Sequence, residues 1–363
     1  SGLIIRWLQV RVLLGPPTDN DKGQPLHLPF IDLLRALAAQ LIVLHHLAVY
    51  GPMSDAVREL APALIDGLAR HGRLAVQVFL VVGGFLAARA LAARRSRTSG
   101  QSLKLVWLRY GRLAIPLAAA LVLALACAAV ARAWFPQPST PAPASLAQLA
   151  AHLFLLQDLL GFEALSAGVW YVAIDFQLHA LLIILFWLSG RWTMALVAAL
   201  AAVSLFHFNR LPAWDAWGLY FFAAYGMGAL AFWAAASRRA PGILALMGGV
   251  VILALALDFR SRIAVAFATA VLLGLTFGRL PLPFAAKRPL NFLGGISYSL
   301  FLVHYPVCLV VNAAFGRWWP ADPAINAIGL LLAWGLSLLA GALFHRLVEI
   351  PAGRWLARAP RPV

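Results

Sequence analysis

Apolar runs about twenty residues long alternate along this chain with short polar connectors. A helix of that length rises about 30 Å, the thickness of a bilayer's hydrocarbon. The pattern predicts ten spans, near 30–50, 73–93, 106–133, 168–189, 192–208, 217–236, 242–257, 262–278, 291–313 and 324–346. Pro, Gly and polar residues separate them, most visibly in FPQPSTPAPAS, Phe135 to Ser145. The following LAQLAAHLFLLQDLLGF is apolar but too short to cross, and reads as re-entrant or interfacial. Near the start, LIIRWLQVRVLLG carries Arg6 and Arg11 and is also too short. It reads as a helix on the cytoplasmic surface rather than a cleavable signal peptide. No internal repeat or soluble domain stands out. The expected fold is all-α: one polytopic bundle over residues 30–355, with an interfacial segment at 1–29 and a short tail at 356–363.

Composition agrees. Of 363 residues, 63% are hydrophobic and 12% charged, with a mean hydropathy of +0.84. A soluble protein carries about 25% charged residues. The formal net charge of +16 raises nucleic acid as a partner, but the basic residues sit between the apolar runs. With the N-terminus cytoplasmic and ten crossings, all but eight of the 29 Lys and Arg fall inside, including Arg94, Arg95 and Arg97 in one connector. The eight outside are Arg58, Arg70, Arg73, Arg132, Arg210, Arg260, Arg262 and Arg317. Positive-inside bias therefore explains the charge, places both termini in the cytoplasm, and removes nucleic acid. Cys127 and Cys308 lie inside apolar runs, which fits buried thiols and neither a disulfide framework nor a metal site.

The first span, FIDLLRALAAQLIVLHHLAVYGP, is polar where a plain anchor would be apolar. On a helix, Arg35 and His46 differ by about 20° around the axis and about 16 Å along it. Asp32 lies one turn before Arg35 and can pair with it. Asp32, Arg35 and His46 form a stripe, from which His45 points about 80° away. Such a stripe faces protein or a water-filled cavity. Two readings stay open: an interfacial ion pair with core histidines, or a histidine placed to move a proton near neutral pH.

Six stretches, in order, resemble the integral-membrane acyltransferase 3 family. Its Arg (or Lys) followed by ten residues and a His matches Arg35 and His46. VQVFLVVGGFLAAR resembles its second helix, with Gly83 where a serine usually stands. WLRYGRLAIPL supplies an Arg-x-x-Arg element in Arg109 and Arg112. VWYVAIDFQLHALL matches a Trp-Tyr-x-x-x-Glu-x-Gln segment through Trp170 and Tyr171, with Asp175 for the glutamate. LGGISYSLFLVHYPV resembles the late segment through Ser297, Tyr298, His304 and Pro306, with Phe301 for a tyrosine. RLVEIPAGRWL matches the closing stretch through Glu349 and Pro351.

The resemblance implies transfer of an acyl group, most often acetyl, from cytoplasmic acyl-CoA to a hydroxyl of a glycan or lipid-linked saccharide. It implies His46 as general base or acyl carrier, with Asp32, Arg35 and Asp175 in the catalytic set. Arg109 and Arg112, one turn apart, suit the phosphates of CoA because guanidinium binds phosphate bidentately; Arg35, Gly84 and Phe85 join them as donor contacts. Trp170, Tyr171, His45, Tyr298 and His304 are the acceptor-side candidates. No metal enters. The expected partners are acetyl-CoA or another acyl-CoA, the saccharide acceptor and membrane lipids, with a homo-oligomer left open; the expected location is a bacterial inner membrane. Alternatives from other classes are a transporter or flippase of a lipid-linked or acylated molecule, and a non-catalytic partner of a polysaccharide synthesis complex. The first lacks the internal symmetry expected of it; the second gives no reason for the Arg35–His46 stripe.

Overall fold

In hydrocarbon a backbone can satisfy its polar groups only within itself, so the apolar runs wind into helices. The computed structural model describes residues 29–93, 98–237, 240–277, 284–320 and 322–358, with the side chains of 29 and 284–288 excepted. The N-terminal surface helix, Arg94, Arg95, Arg97 and the end of the tail lie outside the described residues. In chain order the helices are α1 Pro29–Val49, α2 Pro52–Arg58, α3 Pro62–His71, α4 Ala75–Ala92, α5 Ser99–Trp134, α6 Leu146–Leu153 and α7 Val169–Ser189. There follow α8 Thr193–Phe206, α9 Gly218–Ala235, α10 Ala240–Leu257, α11 Ser261–Thr276, α12 Phe284–Trp318, α13 Pro323–Phe344 and α14 Ile350–Arg358. Among the described residues there is no strand.

Among the described residues, eight stretches are long and apolar enough to cross a membrane, two fewer than the ten spans read from the sequence. The difference has two sources. Val169–Arg210, 42 residues, counts once, yet as one rod it would reach about 63 Å, twice the hydrocarbon thickness. A single tight turn at Gly190–Trp192, with Gly190 at φ +49°, divides it into α7 and α8. The other is α11, apolar but only 16 residues long. All ten predicted segments are thus helical, and the short apolar piece after the Pro-rich connector gives only the eight-residue α6. Helical structure begins earlier than expected before α4, because α3 is added there. Gly72 lets the chain pass α1 closely: a Cβ there would lie 2.7 Å from His45 Cβ.

The helices fall into two units that interleave in sequence. One holds α1 as far as Ala36, Val76–Gly111 and Ile174–Gly295; the other holds Leu37–Ala75, Arg112–Ala173 and the chain from Ile296 onward. In the first unit, α8, α10 and α11 pack on α9, which is buried along almost its whole length. By contrast, α10 exposes Leu246, Ile252, Leu253 and Leu257, an apolar face suited to lipid. α4 crosses α9 backbone to backbone. A Cβ on Gly84 would collide with the Tyr225 carbonyl, and one on Gly228 with the Val81 carbonyl. Small residues that admit such approach are how helices associate where lipid and side chain are equally apolar.

In the second unit, α2 packs on α13. Asn312 of α12 accepts from Met53 N–H at 3.3 Å and donates to the Cys308 carbonyl at 3.0 Å. Arg317 donates to the Trp134 carbonyl at 3.1 Å. Connectors predicted on one face therefore meet one another, as alternating crossings require. Between α13 and α14 one turn widens: Ile350 N–H reaches back five residues to the His345 carbonyl, and Pro351 next to it has no N–H to offer. Glu349 at this turn accepts from Ser299 Oγ at 2.5 Å and from His345 Nδ1 at 2.9 Å.

His152, fully buried on α6, ties down the loop that follows. Its Nδ1–H donates to the Gln148 carbonyl at 2.8 Å and its Nε2 accepts from Leu165 N–H at 3.1 Å. Only the neutral ring does both. Burial lowers its pKa from the ordinary 6.5, against the opposing pull of the Gln148 carbonyl and the Asp158 charge. The folded pKa lies below the unfolded one, so the contribution is complete above pH 6.5 and is lost as pH falls below it.

Two outcomes are expected. Exchange protection of the Leu165 amide, corrected for intrinsic rate, falls as pH is lowered through 6.5, and His152→Phe removes that dependence. Gly84→Leu destabilises the protein in detergent by about 3 kcal/mol or more. Gly249→Leu, where an added Cβ meets open space, leaves the unfolding curve in place.

Candidate active site

The first unit gathers charge. Asp32 and Arg35 of α1 are both buried and 3.8 Å apart, the pair expected from their spacing. Gly294 of α12 lies against Asp32, where a Cβ would stand 2.7 Å from its carbonyl. Arg109 of α5 and Asp175 of α7, 4% and 6% exposed, form a second buried ion pair. Asp175 is thus held by one of the arginines expected to take CoA phosphate. His179, one turn on from Asp175, lies 3.3 Å from Tyr225 Oη of α9. Gly83 borders the same group: a side chain there would come 3.9 Å from Asp175 Oδ1 and 3.3 Å from the Tyr225 ring. The glycine that replaces the family's serine leaves room for Tyr225, a residue the sequence reading did not single out. Gly84 and Phe85 are taken up in packing, the former against the Tyr225 backbone, the latter between Phe232 and Phe277 with ring centroids 5.8 and 4.9 Å away.

The second unit gathers rings. His46 Nδ1 lies 2.6 Å from His304 Nε2. The two planes differ by 2° and the centroids are 4.9 Å apart, which is the N···N distance plus one ring radius at each end. The rings are therefore coplanar and in line, and the hydrogen bond lies along the lone pair, as a strong one should. Partners fix the protons. His304 Nδ1 is 3.0 Å from the Leu300 carbonyl, which can only accept, so Nδ1 carries the proton. Neutral His304 then offers a lone pair at Nε2, and His46 must donate to it from Nδ1. The lone pair of His46 is left on Nε2.

His45 has a different task. Its Nδ1 lies 3.0 Å from the Leu68 carbonyl, fastening α3 to α1. Around the histidine pair stand Tyr50, whose ring is 5.5 Å from His46, and Phe301, 6.2 Å from His304. Tyr171 meets Phe301 edge-on at 5.3 Å, and Trp170 meets Tyr171 at 6.0 Å. Three of the acceptor-side candidates, Trp170, Tyr171 and His304, thus join one aromatic series that ends at His46. Tyr298 donates instead to the Leu113 carbonyl at 3.1 Å, beside the turn where Pro116 interrupts the α5 ladder. Arg112 is partly buried on α5. Among the described residues no cluster of His, Cys, Asp and Glu has the arrangement of a metal site.

The proton arrangement is directly measurable. In protein labelled with ¹⁵N-histidine at neutral pH, His46 should show a protonated Nδ1 and an unprotonated Nε2. His304→Phe should release that preference, whereas His304→Gln, whose amide oxygen accepts as Nε2 did, should keep it. A wild-type His46 protonated on Nε2 would contradict the assignment.

The family model described as "Acyltransferase domain", of the acyltransferase 3 type, matches residues 28–346, nearly the whole chain. No curated protein and no solved structure matches. With the ordered motifs and the all-helical membrane fold, that match identifies the chain as a member of the acyltransferase 3 family, an integral-membrane acyltransferase.

Proposed function

We propose that this acyltransferase moves an acyl group, acetyl being the first to test, from acyl-CoA to a hydroxyl of an envelope or exported polysaccharide or its lipid-linked precursor. The donor approaches from the cytoplasm, both termini lie there, and the membrane is the inner membrane of a bacterium. The observation that carries this reading is the in-line pair of His46 and His304.

The chemistry follows from the proton positions. His46 Nε2 takes the proton of the acceptor hydroxyl while Nδ1–H stays donated to His304. The hydroxyl oxygen forms its bond to the thioester carbonyl carbon, the carbon–sulfur bond breaks, and His46 returns the proton to the departing thiolate. His304 steadies the imidazolium, because a hydrogen bond from a charged donor is about twice as strong as a neutral one. It acts as a positioning residue. Asp32 and Arg35 hold the inner end of the same helix, and Arg112 offers guanidinium to the donor's phosphates.

The buried Arg109–Asp175 pair bears on how donor binding is tested. Arg109→Ala leaves a buried carboxylate alone, which costs about 3–5 kcal/mol in stability and obscures any loss of binding. Arg112→Gln avoids this. In proteoliposomes supplied with acetyl-CoA and a polysaccharide acceptor, His46→Ala should lower transfer by about a hundredfold or more. Calorimetric binding of acetyl-CoA should survive in that variant and weaken in Arg112→Gln. His45→Ala should lose less activity than His46→Ala, through a loosened α3. Transfer that persists in His46→Ala within a few-fold of wild type would sink the assignment.

A further inference from the structure

The connectors after α8 and α10 meet in a knot of arginines. Arg260 Nη1 donates to the Leu205 carbonyl at 3.0 Å and to Asn209 Oδ1 at 2.8 Å. Its Nε lies 3.3 Å from Asp258 Oδ2, the same oxygen that Arg210 Nε approaches at 3.4 Å. Arg262 Nη2 donates to the Asn209 carbonyl at 2.5 Å, and its guanidinium lies 4.8 Å above the Tyr220 ring. Two of the three positive charges thus share one carboxylate, and the third, Arg262, has no carboxylate partner among the described residues.

The knot is not closed. Arg260 Nη2 and Arg262 Nε are buried and have no hydrogen-bond partner among the described residues, although the Arg260 side chain is only 9% exposed. A buried N–H without an acceptor is costly, and guanidinium cannot shed its proton to escape the cost. The neighbouring Arg210 and Arg262 charges add repulsion. Asp258, with 38% of its side chain exposed, answers part of it. Positive-inside bias gives no reason for these arginines: both connectors fall outside when the N-terminus is cytoplasmic.

Aromatic rings continue from the knot. His207 meets Phe208 at 5.0 Å, Phe208 meets Trp214 at 4.8 Å, and Trp214 meets Trp217 at 6.4 Å. Trp217 is 45% exposed. The exposed indole of Trp217, in a series of edge-on rings that leads from a group of guanidiniums with open donors, suits a ligand with a sugar ring and an oxyanion.

We propose that Arg210, Arg260 and Arg262 form an oxyanion site that binds the phosphate of a saccharide, with Trp214 and Trp217 packing against its ring. The phosphate accepts from Arg260 Nη2 and Arg262 Nε and balances the excess charge. That this ligand is the acyl acceptor rests on the acyltransferase reading; the binding itself does not. Phosphate on a membrane surface also comes from lipid headgroups, and the test separates the two sources.

Purified protein in phosphatidylcholine nanodiscs is titrated with glucose 1-phosphate, with glucose as the neutral control, at low salt and with no acyl-CoA present. The sugar phosphate should bind about tenfold tighter than glucose or better, and Arg210→Gln should weaken it by about tenfold. Arg210 is half exposed and holds only Asp258, so this variant should keep the wild-type unfolding curve. Arg262→Gln should weaken binding further. The titration is repeated in phosphatidylglycerol nanodiscs. Displacement of the sugar phosphate there would uphold the oxyanion site and assign it to a lipid phosphate. Absence of sugar-phosphate binding with no arginine-dependent retention of phosphatidylglycerol, or binding undiminished in Arg210→Gln/Arg262→Gln, would overturn the proposal. Because no donor is present, failure here leaves the transfer assay untouched, and failure of transfer leaves this result standing.

Discussion

Hydrocarbon offers no hydrogen bonds, so every polar group carried into it must find its partner in the protein. That constraint orders the two units. Arg109 takes Asp175, His46 takes His304, and Asn312 divides its amide between Met53 and Cys308. Thr269 and Ser337 turn back to the carbonyls one helical turn before them, at 2.8 and 2.7 Å. Each partnership holds two helices or one turn in register, so the polar residues set the packing as much as the apolar ones fill it.

Between these points the helices are held by close approach alone. Glycine supplies it where the polar pairs do not. Gly84 and Gly228 bring α4 and α9 into backbone contact. Gly168 lets the start of α7 pass Phe301, and Gly341 lets α13 pass the backbone of Leu300. The last two contacts lie one turn before His304 on α12, so the residue facing His46 is braced by packing on the preceding turn of its own helix.

Much of the fold was legible because length and hydropathy are local properties. Each of the ten apolar runs became a helix, and the Asp32–Arg35 pair followed from a spacing of one turn. The reading of α7 and α8 as two crossings rested on Gly190 and the polar turn, which sequence shows plainly. The site was legible only in part. His304 lies 258 residues from His46 and Asp175 lies 66 from Arg109, and no periodicity links residues so far apart. The family motifs named these positions without saying which would touch. Tyr225 escaped notice because an aromatic in an apolar span reads as core, and it is core as well as a neighbour of His179. The arginine knot was visible only as scattered outer charges until the connectors met.

The interleaving of the two units also sets a timetable for biosynthesis. At about 5–20 residues per second, the chain continues for several seconds after Arg109 is made before Asp175 exists. His46 waits about 13–50 s for His304. During that interval α1 and α5 sit in or near the bilayer with their polar groups unmatched, held by snorkelling at the interface or by the insertion machinery. Neither unit can close as its helices emerge. The second becomes complete only after α12, when α13 and α14 have followed it, so the chain is inserted piecemeal and assembled late.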